Sequence, residues 1–259
     1  MEPEAYIEMA AAEEAHWWFQ GRRQILASVI ARLNLLPQTA RILELGSGTG
    51  GNFEMLSRFG QLTAIEMNGM ARALSVRKSW GTVQVHAGFL PDGLPDLPQN
   101  FDLICLFDVL EHVEEDEKTL STIRRLLAPQ GVVVITVPAF AKLWGPHDEQ
   151  LHHKRRYERA ELTAKLRRTG FEITKLSYSN MFLFPAALGL RLFDRFRRIF
   201  VKTRKASGAG MLPYPLNRGF AAIFGAERFL LSRMNLPVGL SLLAIAQAAP
   251  GFSNAEGRN

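Results

Sequence analysis

The chain is poor in cysteine and in long apolar runs, and both shortages narrow what it can be. One cysteine in 259 residues, Cys105 inside FDLICLF, excludes an internal disulfide and sits where a buried structural thiol is expected. The longest uncharged apolar stretches, near 181–190 and 236–250, fall short of the ~20 residues a spanning helix needs, and both contain Pro and Gly. The opening MEPEAYIEMAAAEEAHWW lacks a basic region followed by an apolar core, so no signal peptide is expected. A cytoplasmic location fits these absences.

What is present is enough apolar material for a large core, with 47% hydrophobic residues and 22% charged. The net charge of +6 is local in origin. Between Lys154 and Lys205, Lys and Arg outnumber Asp and Glu by fifteen to four, whereas the chain before His153 is mildly acidic. A high pI by itself therefore does not argue for nucleic acid, and the basic stretch lacks the interleaved aromatics of an extended stacking surface.

Strand-like and helix-like segments alternate. Residues 4–36 read as a helix with WWF in its middle, and RILEL, LTAIEM, VQVHA, FDLICLFDVL and VVVITV read as strands separated by helical stretches at 52–59, 71–80 and 116–127. Continuous apolar strands between helices predict a parallel sheet covered on both faces. A helix over 159–169, closed by Gly170, leads to EITKLSYSN, and GLSLLAIAQ follows a long interruption. The expected organisation is a single α/β domain: an N-terminal helical cap over 1–36, a core over 41–180 and 236–247, and a helical insert over 181–235.

ELGSGTGG, residues 44–51, lies between the first strand and the next helix, where glycines let backbone N–H groups approach a ligand. Gly46, Gly48 and Gly51 satisfy a dinucleotide fingerprint. Gly46, Gly48 and Gly50, with Glu44 before them, equally satisfy the variant that binds S-adenosylmethionine (SAM). Glu66, at the end of the second strand, suits ribose hydroxyls in either case.

Three further motifs separate these readings: DVLEHV (108–113), LLAPQGVVVITVP (126–138), and a helix followed by GFEI. In this order they closely resemble class I SAM-dependent methyltransferases, over roughly 16–182 and 236–247. Among these the chain looks most like small-molecule enzymes such as the ubiquinone-pathway O-methyltransferases. HWWFQGRR and LWGPHDEQLHHKRRY also resemble a bacterial subgroup associated with cell-surface glycan or lipid-linked sugar pathways. The resemblance implies a Rossmann-like, seven-stranded, mostly parallel sheet with helices on both faces, its last two strands a hairpin separated by the insert. It implies SAM as cofactor, approached by Gly46, Gly48 and Gly50, with Glu44 at the methionine end, Glu66 at the ribose and Asp108 beside the sulfonium. The family often carries an acid after the glycine of GlyPheLeu (88–90); here Phe89, with Leu90 beside it, takes that place and is expected against the adenine.

A sulfonium brings its own leaving group, so the enzyme must mainly align the nucleophile and exclude water. A hydroxyl acceptor also needs a base, and His112 and His153 are the candidates, with His152 beside them. In DEQLHHKRRY (148–157) the forked donors of Arg155 and Arg156 suggest a clamp for an anionic group on the acceptor, with His152, Tyr157 and Trp18 lining the pocket. The competing reading pairs an arginine with Asp148 or Glu149 and packs Tyr157 at a helix start. Zinc at Asp148, His152 and His153 lacks a fourth ligand, and Mg or Mn at Asp108, Glu111 and His112 is the alternative ion site; no resident metal is expected. Trp17, Trp18 and Phe19 form either a lid or core.

The expected partners are a small-molecule or lipid-linked acceptor and an anionic membrane surface. A helix over Leu188–Lys202 would set Arg191, Arg195 and Arg198 opposite an apolar stripe, and a second stripe would comprise Phe220, Ile223, Phe224, Leu230 and Met234. No nucleic acid is expected, since neither an Asn-Pro-Pro-aromatic clamp nor a Pro-Cys nucleophile occurs. The rival functions are an RNA methyltransferase, a nicotinamide-dependent oxidoreductase, and a membrane-surface binding module that has lost its cofactor.

Overall fold

A computed structural model describes residues 3–33, 36, 37, 39–186, 188, 189 and 212–250. Seven strands form one sheet in the order β3-β2-β1-β4-β5-β7-β6. They are β1 (Ala40–Leu45), β2 (Gly60–Glu66), β3 (Gln84–Ala87), β4 (Phe101–Phe107), β5 (Leu127–Pro138), β6 (Phe171–Ser179) and β7 (Ser241–Ala248). The first five run parallel, and β7 is antiparallel to both β5 and β6. The expected α/β sheet with its terminal hairpin is what the chain builds. Its central strands are apolar on both sides because helices cover both faces; Ile104, Cys105, Val134 and Ile135 are fully buried. Burial also pushes the Cys105 thiol well above its usual pKa, so it is an inert core group.

The order of strands reverses at β1 and β4, whose carboxyl ends therefore diverge into a crevice, the place where ligands bind in such sheets. Two helical pieces cover that edge. The expected single helix over 4–36 is instead two, α1 (Pro3–Ala15) and α2 (Trp17–Ile30). His16 breaks them: its backbone is extended, and its ring accepts the Trp18 N–H as an N-cap. The helix expected over 52–59 is also shorter, a single turn, α3 (Phe53–Leu56). Further helices are α4 (Gly69–Ser79), α5 (Asp116–Leu126), α6 (Pro146–Gln150), α7 (Arg159–Arg168) and α8 (Tyr214–Leu231).

Helix α8, from the stretch read as an insert, packs along α2. The crossing is close because Gly21 faces Phe224, where an added Cβ would come within 2.6 Å of the ring. The buried face of α8 is Asn217, Ala221, Phe224, Glu227 and Leu231, spaced three to four residues apart. That corrects the second stripe: Ile223 and Met234 lie about half exposed, and only Phe224 of the proposed set is fully in the core. The basic helix expected over Leu188–Lys202 lies, from Leu190 onward, outside the described residues. No helix among the described residues is long and apolar enough to cross a membrane.

Candidate active site

The glycine loop leaves the end of β1 and turns under β2. The amides of Gly46 and Ser47 both donate to the Ile65 carbonyl, at 2.9 and 3.1 Å, and Gly48 donates to Glu66 Oε2 at 2.8 Å. Gly46 has φ +70°, and a Cβ there would meet Val109 at 2.6 Å. The residue must therefore be glycine for two reasons, conformation and the approach of the β4 loop. Glu66 Oε1 accepts from Asn68 N at 2.7 Å, so one carboxylate ties the glycine loop to the start of α4.

Glu44 is buried, accepts from Asn52 Nδ2 at 2.7 Å through Oε1, and among the described residues has no partner for Oε2. Burial pushes its pKa up to about 8. A buried acid with a spare oxygen beside a glycine cradle fits a cationic ligand end, and the methionine ammonium of SAM is such a group. Helix α1 closes this side of the loop. Thr49 Oγ1 donates to Glu13 Oε2 at 2.5 Å, Arg23 donates to the Gly51 carbonyl at 3.3 Å, and a Cβ on Gly51 would sit 2.6 Å from the Glu13 carboxyl. Nothing in the sequence pattern singles out Glu13, because its contact lies 36 residues away.

Asp108 follows β4 with φ +59°, a left-handed conformation that aims it into the crevice mouth. It accepts from Thr136 Oγ1 at 3.1 Å and from Arg22 at 2.5 Å. Arg22 in turn lies over the Trp18 ring, 4.4 Å from its centroid. Trp18, Arg22, Asp108, Thr136, Ser179 and Ser241 line a narrow cleft between the strand ends and the α2/α8 cap. The aromatic triplet is thus split: Trp18 lines the cleft, while Trp17 packs on Phe220 and Phe224 of α8. Arg22 is the cleft residue that sequence reasoning missed; its signal is the spacing, one helical turn after Trp18.

A 3₁₀ turn over Leu110–His112 continues from Asp108. Glu111 is fully buried with neither carboxyl oxygen bonded to another of the described residues, and burial, reinforced by Asp108, holds its pKa well above the usual range. The His112 ring reaches the surface but is crowded. Partial burial, followed by the neighbouring His153, lowers its pKa to about 4, so it is neutral at pH 7. The two rings meet edge to face with centroids 4.8 Å apart.

The segment DEQLHHKRRY folds back to make this pairing. Lys154 N donates to the Glu111 carbonyl at 2.8 Å, docking the loop on the 3₁₀ turn. Asp148, fully buried at the end of a turn begun by Gly145, accepts from His153 Nδ1 at 3.0 Å, Arg156 Nε at 2.7 Å and Gly145 N at 2.9 Å. Despite burial, the hydrogen bonds from His153 and Arg156 lower its pKa to about 2.

These contacts correct the expected clamp. Arg156 is buried on Asp148 and the Ala139 carbonyl, and Tyr157 is fully buried with its hydroxyl donating to Asp116 at 2.8 Å. Arg155 bonds Asp116 at 2.9 Å and the Glu114 carbonyl at 2.9 Å. Their donors are spent inside the protein, because leaving Asp148 and Asp116 buried without cations would cost more than an exposed clamp gains. His152 is exposed in a left-handed turn. Phe89 is 56% exposed with its ring resting on Gly93, and Leu90 is half-buried beside it.

The structure therefore places Trp18, Arg22 and Asp108 in one cleft, next to a loop shaped by Gly46, Gly48 and Gly50, and pairs His112 with His153 on the turn that follows Asp108. Comparison with known proteins matches residues 18–176 to a methyltransferase domain. The chain belongs to that family. A probable SAM-dependent methyltransferase of Mycolicibacterium smegmatis is 27% identical over 162 residues, 62% of this chain and 61% of its own. The chain thus spans less than two thirds of that relative's length. Among solved structures, phosphoethanolamine N-methyltransferase 2 of Haemonchus contortus in complex with SAM aligns at a TM-score of 0.56 and 19% identity, covering 87% of this chain and 52% of the other. The YcgJ protein of Bacillus subtilis aligns at 0.57 and 15% identity, over 88% and 98%. At such identities the likeness is one of fold. The methyltransferase domain accounts for the glycine cradle and the spare oxygen of Glu44, and SAM is the cofactor they suit.

Proposed function

We propose that the protein transfers the methyl group of SAM to a hydroxyl of a small-molecule or lipid-linked acceptor that carries an anionic group. The observation that supports this most is a shared loop: residues 108–112 connect the cofactor edge at Asp108 directly to the paired imidazoles of His112 and His153. SAM, when bound, supplies an electrophilic methyl with a neutral leaving group. The chain's residues bind and place it: Glu44 takes the ammonium, Glu66 the ribose, and Asp108 faces the sulfonium. Trp18, Arg22 and the α2/α8 cap exclude water from the cleft, which favours a reaction that disperses charge. The acceptor oxygen forms its bond to the methyl carbon as the carbon–sulfur bond breaks, and the hydroxyl proton is lost at the His112–His153 edge. With Arg155 and Arg156 engaged elsewhere, the cation lining the cleft among the described residues is Arg22; it is bonded to Asp108 through Nη1, so an anionic group on the acceptor would share its remaining donors.

The test uses methyl-labelled SAM with separated metabolite, lipid and RNA fractions. Label in a low-mass or lipid product as a methyl ether supports the reading. Label in RNA alone, or as an N-methyl product, overturns it.

A further inference from the structure

Glu111 is a carboxylic acid with no exposed surface and, among the described residues, no hydrogen-bond partner from another residue on either oxygen, beside Asp108. A structural acid in a core normally has its lone pairs satisfied, since leaving a buried polar group unpaired costs about 1–3 kcal/mol. The two rings nearest it complete a set: one ligand atom each from Glu111, His112 and His153 lie within 4.8 Å of one another. Neighbouring ligands of a cation with ~2.1 Å bonds stand ~3–3.4 Å apart, so the set closes on an ion by side-chain movements of roughly 1–2 Å.

The orientation of His153 points the same way. Asp148 is a carboxylate that only accepts, so the ring nitrogen 3.0 Å from it, Nδ1, must carry the proton, and the lone pair is left on Nε2. A buried carboxylate that fixes the tautomer of an imidazole is the usual outer support of a metal-ligating histidine. Here that carboxylate is itself anchored by Arg156 and Gly145 N. The loop's docking bond, Lys154 N to the Glu111 carbonyl, brings the third ligand to the other two.

We infer that Glu111, His112 and His153 bind one divalent first-row transition-metal cation at the turn that follows Asp108, with Asp148 as the positioning residue for His153. Two imidazoles with one carboxylate suit Mn, Fe, Co or Zn better than Mg or Ca, which prefer all-oxygen shells. Three protein ligands and an exposed His112 leave coordination positions open, as in catalytic rather than structural sites. The inference rests on the O-methylation reading for its role and makes the imidazoles ligands in place of proton acceptors: an acceptor hydroxyl on the cation becomes more acidic, releases its proton to water, and attacks the methyl carbon while the electron pair of the carbon–sulfur bond goes to sulfur. It replaces both ion sites weighed from the sequence, taking Glu111 and His112 from one and His153 from the other.

The test is binding of Mn²⁺ and Co²⁺ to the full chelator-treated chain, without SAM or acceptor, by paramagnetic resonance and by the visible spectrum of bound Co²⁺. One ion per chain is expected, with Co²⁺ bands showing nitrogen ligation. Glu111→Gln and His153→Ala should weaken binding at least 10-fold, Asp148→Asn about 10- to 100-fold, and His152→Ala should change nothing. SAM affinity, measured on the same variants, should be retained. No binding of either ion at millimolar concentration, or binding indifferent to Glu111→Gln and His153→Ala, overturns the site. Because neither readout needs turnover, that failure would leave the methyl-transfer reading standing, whereas wild-type protein that ignores SAM would sink that reading alone.

Discussion

At the scale of single residues, carboxyl groups divide the work according to what faces them. Glu66 bonds two backbone amides, Gly48 and Asn68, so it both shapes the loop and offers remaining lone pairs to a ribose. Glu66→Ala is expected to weaken SAM binding by about 1.5–3 kcal/mol for each charge-assisted bond lost. Glu66→Gln, which keeps one acceptor oxygen, should lose less; calorimetry of the two variants checks the order. Asp116 is different. Burial alone would raise its pKa, but hydrogen bonds from Lys165 and Tyr157 outweigh that and hold it below the usual aspartate value. A depressed folded-state pKa contributes stability that is fully present above the unfolded value of about 3.9 and lost as pH falls through the folded one. Asp116→Asn should therefore start with the lower urea midpoint, and its gap from the wild type should narrow as pH falls from 6 to 3, since the raised pKa values of Glu44 and Glu111 act alike on both. Arg156→Ala tests the corrected role of the basic segment. It strips the fully buried Asp148 of a cation and should cost about 3–5 kcal/mol of folding stability. A stable variant that has lost only acceptor use would restore the clamp.

Among elements, the contact of α2 with α8 decides the shape of the acceptor side, and Gly21 sets its distance. It meets the Phe224 ring and Cβ closer than a Cβ allows, whereas Gly225 faces only the flexible tip of Gln24, which can move. Alanine in place of a mid-helix glycine gains about 1 kcal/mol of helix propensity, whereas forcing a methyl into a filled crossing costs about 1–3. The second effect should win for Gly21→Ala. A lower urea midpoint is expected, and a raised one would mean that the helices separate freely. The same crossing explains why periodicity misread α8. Its apolar residues outnumber those the crossing can bury, so Phe224 enters the core while Ile223 and Met234 stay half exposed. The break between α1 and α2 was hidden for a related reason: histidine is an unremarkable helix residue until its ring finds the Trp18 amide.

For the whole molecule, the cap formed by α1, α2 and α8 closes over the ends of the strands, so cofactor binding and global stability are linked. A ligand that binds only the folded chain stabilises it by about 2.7 kcal/mol at 100 times its Kd. SAM should therefore raise the Tm in a concentration-dependent way and NAD should not, a thermal-shift comparison that also separates the two readings of the glycine loop. The sequence alone determined the alternation of strands and helices and the glycine turn, through local signals: apolar runs of strand length and glycine where backbone must turn left-handed. The seven-stranded sheet and the roles expected of Glu44, Glu66 and Asp108 came from the resemblance to a family, and the strand order from the tertiary structure. The partners of the charged side chains were decided only by tertiary structure. Arg22 finds Asp108 across 86 residues and Arg155 finds Asp116 across 39, and no periodicity encodes such pairs. DEQLHHKRRY showed that its ions and rings were special; burial, which makes an unpaired charge too costly to keep, chose Asp148 for Arg156 and turned His153 toward His112 and Glu111.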